Sequence, residues 1–201
     1  LSIHTMPRGR KPIQTYLTKQ GNESNAYEAV RAELKKGHQA YFVYPAIETD
    51  YSFSSSDNNS SSLKSAEEAF DFLQRQVYPE FKCALIHGKI EEEKQATILN
   101  DFKDGKINIL VATTVVEVGV NVPNASCMVI EMADRFGLAA LHQLRGRVGR
   151  GSDQSYCFLI YSKNISESGI ARMKVIRQTT DGFKIAEEDL YLRGPGQITG
   201  T

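Results

Sequence analysis

Short apolar runs alternate along this chain with stretches in which apolar positions return every three or four residues. Gln39-Ala-Tyr-Phe-Val-Tyr-Pro45, Cys83–His87, Ile109–Ala112, Cys127–Glu131 and Tyr156–Tyr161 are too short for stable helices, and the pattern predicts buried strands. Between them, helical spacing predicts a helix from Asn25, as N-cap, to Lys36, with Gly37 ending it. A second set of helical positions is Ala66, Ala69, Phe70, Leu73 and Val77, stopped by Pro79. A third helix runs from Glu91 to Phe102, with three glutamates in its first turn favoured by the helix dipole and Gly105 closing it. A fourth begins near Leu138. Continuous apolar strands that alternate with helices specify an α/β fold: a parallel sheet covered on both faces. Ligands of such sheets bind beyond the carboxyl ends of the strands. The turn after Val111 and the segment Gln143–Arg150 are both expected there.

Three stretches depart from the alternation. Residues 1–20, with Pro7-Arg-Gly9 and Lys11-Pro12, read as an extended linker. Residues 51–62 are a serine-rich polar loop with too little apolar area to pack. Residues 165–201 read as a helix, Asp181-Gly-Phe183, a second short helix around Ile185–Tyr191 and then Arg193-Gly-Pro-Gly196, a helical hairpin appended to the sheet. The 201 residues suffice for one α/β domain with an appended piece. Opening on Leu1 and stopping after Gly200-Thr201, the sequence reads as a piece of a longer chain.

Composition is that of an ordinary globular protein, and 24 basic residues balance 24 acidic ones. That balance argues against binding nucleic acid by bulk attraction, but the distribution is uneven. Residues 1–20 and 145–150 are basic strips, whereas residues 48–71 are acidic, so local contact with phosphates remains open. Cys83, Cys127 and Cys157 each lie in an apolar run, odd in number and without nearby histidines, and read as reduced core residues of a cytosolic protein. No apolar run approaches the ~20 residues of a membrane span.

The densest chemistry is Gln143-Leu-Arg-Gly-Arg-Val-Gly-Arg150, in which three arginines and two glycines fall within eight residues without an acid. Glycine costs about 1 kcal/mol relative to alanine inside a helix. The pattern suits a phosphate approaching bare backbone between guanidinium forks. Thr113-Thr-Val-Val-Glu-Val-Gly-Val-Asn-Val-Pro123 follows a buried strand. It reads either as an ordinary β-branched turn or as two hydroxyls for a nucleic-acid backbone, Thr113 and Thr114, with Gly119 for close approach and Asn121 for a sugar hydroxyl. In His87-Gly88-Lys89 the lone histidine reads first as a hydrogen-bonded structural residue, while glycine and lysine ahead of a helix suit a phosphate. His38 and His142 read as structural. The sequence contains no Gly-x-x-x-x-Gly-Lys-Ser/Thr phosphate loop, and none of the predicted strands ends in paired acids for Mg2+, so a nucleotide site here is expected to be half of one shared with another domain.

Thr113–Pro123 and Gln143–Arg150 resemble motifs V and VI of superfamily 2 helicases, which lie on the second of two RecA-like motor domains. The resemblance is closest to the RecG family of DNA helicases, through Gln39–Glu48, His87–Lys89, Ala133–Leu138, His142–Gly151, Asp181–Leu190 and Leu192–Gly196. It implies a linker at 1–20, a RecA-like motor domain at 21–163 and the start of a translocation element at 164–201. It also implies that Arg147 and Arg150 are arginine fingers and that Gln143, Gly119 and Asn121 face the nucleotide. Thr113, Thr114, His87, Gly88 and Lys89 would meet DNA. ATP and Mg2+ would be held mainly by the first motor domain, and the partners would be branched or duplex DNA and the N-terminal motor and wedge domains of the full-length chain, with no membrane. Asn121 stands where an aspartate is common, which keeps hydrogen bonding and loses charge. The transcription-repair coupling factor shares the Gln143–Arg150 segment, and a stand-alone nucleic-acid-binding module is the reading outside enzymes.

Overall fold

The computed structural model describes residues 11–45, 57–113 and 121–179. Six strands form one parallel sheet: β1 (Gln14–Lys19), β2 (Gln39–Tyr44), β3 (Cys83–Ile86), β4 (Ile109–Thr113), β5 (Ala125–Ile130) and β6 (Tyr156–Tyr161). Their spatial order is β1-β6-β5-β2-β4-β3, which places the continuously apolar β2, β4, β5 and β6 inside and β1 and β3 at the edges. The helices are α1 (Glu23–Lys35), α2 (Asp57–Phe72), α3 (Glu92–Lys103), α4 (Leu138–Arg145) and α5 (Glu167–Gln178).

Because successive strand residues point to opposite faces, the sheet builds two cores. Ala40, Phe42, Ile109, Val111, Cys127 and Val129 pack with Ala26, Val30 and Leu34 of α1 and with Leu73 and Tyr78 beyond α2. Tyr41, Val43, Leu110, Met128, Ile130 and Leu159 pack with Phe102 of α3, Leu138 and Leu141 of α4, and Met173 and Ile176 of α5. All three cysteines are free and buried, and burial pushes each thiol up to about 12.

Four features differ from the sequence reading. Residues Gln14–Lys19 are not linker but β1, paired along its whole length with β6. Only Tyr16 and Leu17 in it are large and apolar, since an edge strand has less surface to bury. Asn25 lies inside α1, which starts two residues earlier after Asn22. Asp57–Ser62 begin α2 instead of continuing the serine-rich loop, and residues 51–56 lie outside the described residues. This helix runs into a π-helical turn, Leu73–Val77, which closes where the Tyr78 N–H reaches the Leu73 carbonyl at 2.7 Å, just before Pro79.

The fourth is α5. It is the first helix of the expected hairpin, and its Met173 and Ile176 are buried in the sheet's own core. The Ser166 hydroxyl caps its first turn by accepting from the Gly169 N–H at 3.1 Å. Arg172 donates to the Asp134 carbonyl at 2.8 Å, and the Asp134 carboxylate accepts from the N–H and hydroxyl of Ser162. The second helix expected around 185–191 lies outside the described residues.

Candidate functional site

Helix α4 delivers the arginine segment, and its apolar spacing decides which arginine goes where. Leu138, Leu141 and Arg145 fall on one face and all three are buried. The Arg145 guanidinium therefore points into the protein, where it donates to the carbonyls of Ile176 and Thr179 (2.7 Å for the latter) and approaches the Thr15 hydroxyl at 3.4 Å and His142 Nδ1 at 3.3 Å. It is a strut between α4, α5 and β1 and not part of a phosphate grip. An arginine at the spacing of two buried leucines was the available sign of this.

Beyond Arg145 the chain turns sharply. Gly146 ends the helix, Val148 is buried in the core of the same face, and Gly149 adopts φ +77°, where side chains are strained. A Cβ on Gly149 would lie 2.8 Å from the Ile13 side chain, and one on Gly151 would lie 2.8 Å from the Pro123 carbonyl oxygen. The Gly149 N–H donates to the Ser155 hydroxyl at 3.0 Å. Glycines here serve close packing of backbone on backbone. With Val148 anchored inward, Gln143 and Arg150 are exposed and Arg147 is half-buried.

These contacts also fix the edge of the sheet involved. Ile13 and Ser155 immediately precede β1 and β6, and Pro123 lies two residues before β5, so the arginine segment lies at the amino ends of the strands and not at the carboxyl ends expected from the fold class. The reason is direction: α4 follows β5, runs back antiparallel to it and unloads its last turn where β6 begins. Asn121 is exposed two residues before Pro123, on this same edge. Gly119 and Thr114 lie outside the described residues.

Other groups brace this edge. His38 bridges two carboxylates, with Nδ1 3.2 Å from Glu33 and Nε2 3.3 Å from Asp153, three residues past Arg150. Burial would raise the Glu33 carboxyl, but hydrogen bonds from Lys36, Ser126 and His38 outweigh it and hold the group below its ordinary value. Gln39 donates to the carbonyls of Phe102 and Ile107 and accepts from Asn124, joining β2 to α3 and the start of β5. Tyr41 is buried against Phe102, ring centroids 5.1 Å apart. Burial pushes its hydroxyl up to about 12, against the opposing pull of the Arg147 and Arg150 charges. The sequence signal for this bracing was a glutamine at the head of an otherwise apolar strand.

The remaining candidates lie at the carboxyl edge. Thr113 ends β4 and is buried. His87 follows β3, and its Nδ1 accepts from the Lys89 N–H at 3.2 Å, so the ring holds a turn that leaves Gly88 and Lys89 exposed. Burial lowers the His87 pKa, consistent with a neutral ring accepting at Nδ1. Gln95 of α3 donates to the carbonyls of His87 and Ile90 and fixes the same turn. Glu131, just past β5, accepts from the Tyr27 hydroxyl at 3.0 Å. The expected residues thus fall on two opposite edges, one carrying exposed guanidinium and amide groups, the other a hydroxyl, a free turn and an ammonium. Among the described residues no group of three or more His, Cys, Asp or Glu is placed to hold a metal ion, and no helix is long and apolar enough to cross a membrane.

A parallel six-stranded sheet covered by helices matches the architecture of RecA-like helicase C-terminal domains. Residues 27–152 match the helicase conserved C-terminal domain, more than half of the chain, and the chain belongs to that family. Within it the similarity is to ATP-dependent DNA helicase RecG. The protein of that name from Borreliella burgdorferi is 48% identical over 98% of this chain, and that from Treponema pallidum 49% identical over 99%. The chain spans 28% of the length of each. A solved structure of RecG bound to a three-way DNA junction superposes with a TM-score of 0.77 at 44% identity, covering 97% of this chain and 24% of that one.

Proposed function

We propose that this chain is the second motor domain of an ATP-dependent DNA helicase that remodels branched DNA in bacterial recombination and repair, working in the cytoplasm. One observation carries the reading. The turn after α4 is locked by Val148, Gly149 and Gly151 and braced by buried Arg145, so that Arg147 and Arg150 stand at the sheet edge. Charges fixed in this way stabilise a transferring phosphoryl group at no cost in reorganisation.

The nucleotide in question is ATP with Mg2+. With no phosphate loop in the sequence, the triphosphate and metal belong mainly to the preceding motor domain, and this chain completes the site. Arg147 and Arg150 would face the triphosphate as it is cleaved, Gln143 would couple it to the domain interface, and Gly119 and Asn121 would meet the ribose. At the other edge Thr113, Thr114, Gly88 and Lys89 would contact the DNA backbone, with His87 shaping the turn. Residues 164–201 would begin the translocation element, with α5 packed on the sheet of the motor domain. The extent of similarity to RecG, across nearly the whole chain, favours this reading over a transcription-repair coupling factor or a stand-alone binding module.

The test is ATP hydrolysis by the full-length protein on a branched duplex. Arg150→Ala should lower kcat by about 10³-fold, the scale of an arginine finger, and Arg147→Ala should be comparably impaired. The 201 residues alone should show no measurable hydrolysis. An Arg150→Ala protein turning over at the full rate would remove the finger assignment.

A further inference from the structure

The turn between α1 and β2 holds two loops at once, and both loops carry candidate residues. Gly37, at φ +92°, reverses the chain so that the His38 N–H returns to the Glu33 carbonyl at 3.1 Å and β2 starts at Gln39. On one side the turn holds the approach to β5. Asn124 Nδ2 donates to the Gly37 carbonyl at 2.8 Å and to Gln39 Oε1 at 3.1 Å, and the Gln39 N–H donates to the Asn124 carbonyl at 3.0 Å. On the other side it holds the loop beyond the arginine turn, where His38 Nε2 meets the Asp153 carboxylate at 3.3 Å. Asn121 and Arg150 each stand three residues before the anchored residue of their loop. The loops also meet each other, because Gly151 lies against the Pro123 carbonyl too closely for a Cβ. One turn therefore sets both loops relative to each other.

The His38 link is built for a cation. Nδ1 faces Glu33 Oε1 at 3.2 Å while Nε2 faces Asp153 Oδ2. An ionised carboxylate only accepts, so both contacts are made together only when both ring nitrogens carry hydrogen. The two ends are unequal. Glu33 is buried and held by the Ser126 hydroxyl and the Lys36 ammonium, each at 2.9 Å, whereas the Asp153 side chain is 73% exposed. A neutral ring has one N–H to give, and the buried carboxylate, costlier to leave unmet, keeps it. Asp153 is then the end that is released. The titratable groups around the ring are Glu33 and Lys36 of α1 and Asp153 of the loop, with Tyr156 of β6 acting on Lys36. An exposed bridge contributes little to stability; its consequence is where the loop sits.

We infer that His38 is a positioning residue for the nucleotide site: its imidazolium ties the loop that carries Arg150 to the turn that holds the loop carrying Asn121. The inference rests on the finger reading proposed above. With both ends of the bridge made, the guanidinium and the amide are presented to one nucleotide in a fixed relation. With Asp153 released, the Arg150 loop loses one of its anchors, and the arginine is placed less well where charge develops on the phosphoryl group.

Steady-state ATP hydrolysis by the full-length protein on a branched duplex tests this from both ends of the bridge. Asp153→Asn and His38→Gln should each lower kcat about tenfold with KM for ATP within about twofold. The double variant should lose nothing further, the signature of a shared interaction. His38→Arg, which keeps a cation with donors for both carboxylates, should retain most of the rate. The ratio of parent to Asp153→Asn kcat should fall towards one as pH rises from about 5 to 8, the range in which histidine sheds its charge. Melting temperature should be nearly unchanged in Asp153→Asn, because that end is exposed. Full kcat in Asp153→Asn beside an impaired Arg150→Ala protein overturns the positioning role and leaves the fingers standing. A ratio that does not change with pH, or an Arg variant as slow as the Gln variant, overturns the charged bridge. A lower melting temperature together with lower kcat in Asp153→Asn assigns the contact to the fold and also overturns the proposal. Full activity of Arg150→Ala removes the finger reading itself.

Discussion

Arg145 and Arg150 share a side chain and a segment, and the structure gives them opposite duties. Arg145 is buried at the spacing of Leu138 and Leu141 and spends its donors on the carbonyls of Ile176 and Thr179, while Arg150 is exposed beyond the glycine turn. Burial lowers the Arg145 pKa, yet a guanidinium stays charged, so its hydrogen bonds to carbonyls are of the charge-assisted kind. Arg145→Ala should therefore cost about 3 kcal/mol of stability, from two such bonds lost and the carbonyls left unpaired. Arg150→Ala should stay within about 0.5 kcal/mol of the parent, as exposed substitutions do. Denaturant titration of the two variants checks the contrast; equal losses would contradict the strut role of Arg145.

At the scale of elements, β1 and α5 are the pieces that sequence periodicity undervalued, and they are held by the same residue. Arg145 touches Thr15 in β1 and the end of α5, so the first and last described elements close over α4 together. β1 escaped notice because an edge strand needs few apolar residues, and its polar alternation resembles a linker until β6 is placed beside it. α5 was legible as a helix but not as part of the core, since its burying face is narrow, with Met173 and Ile176 inward and its remaining large side chains half-buried or exposed. Ile176→Ala should cost about 2–4 kcal/mol, the range for truncating a fully buried aliphatic side chain. Chemical denaturation is the measurement, and a loss under about 1 kcal/mol would mean that α5 docks loosely.

For the whole molecule, one buried carboxyl at the carboxyl edge carries a pH dependence of stability. Burial raises the Glu131 carboxyl to about 7, partly opposed by the hydrogen bond from Tyr27. Between the ordinary carboxyl value of 4.5 and about 7 the folded protein binds more protons than the unfolded chain. This contribution to stability is therefore fully present below the unfolded value, falls as pH rises through that window and is lost above the folded value. Glu131→Gln removes the titration while keeping an acceptor for Tyr27. Melting temperatures taken across the window should decline with pH in the parent more steeply than in the variant, and parallel curves would rule out Glu131 as the source.

The sequence by itself determined the α/β class, five of the six strands and the identity of the arginine segment. Apolar runs bounded by breakers can be satisfied in few ways, and two glycines among three arginines mark a sharp turn at a helix end. The given residues contain no phosphate loop, and the expectation that a nucleotide site here is shared with another domain rests on that alone. Only the tertiary structure decided which arginine turns inward, since that depends on α4 burying one particular face against α5 and β1. The edge was likewise beyond the sequence: a helix returning antiparallel to its strand unloads at the amino end, and that direction exists only once the chain is folded. The His38 bridge belongs to the same class of fact, for a histidine after a helix-ending glycine looks like any other turn residue until its two carboxylates have been placed.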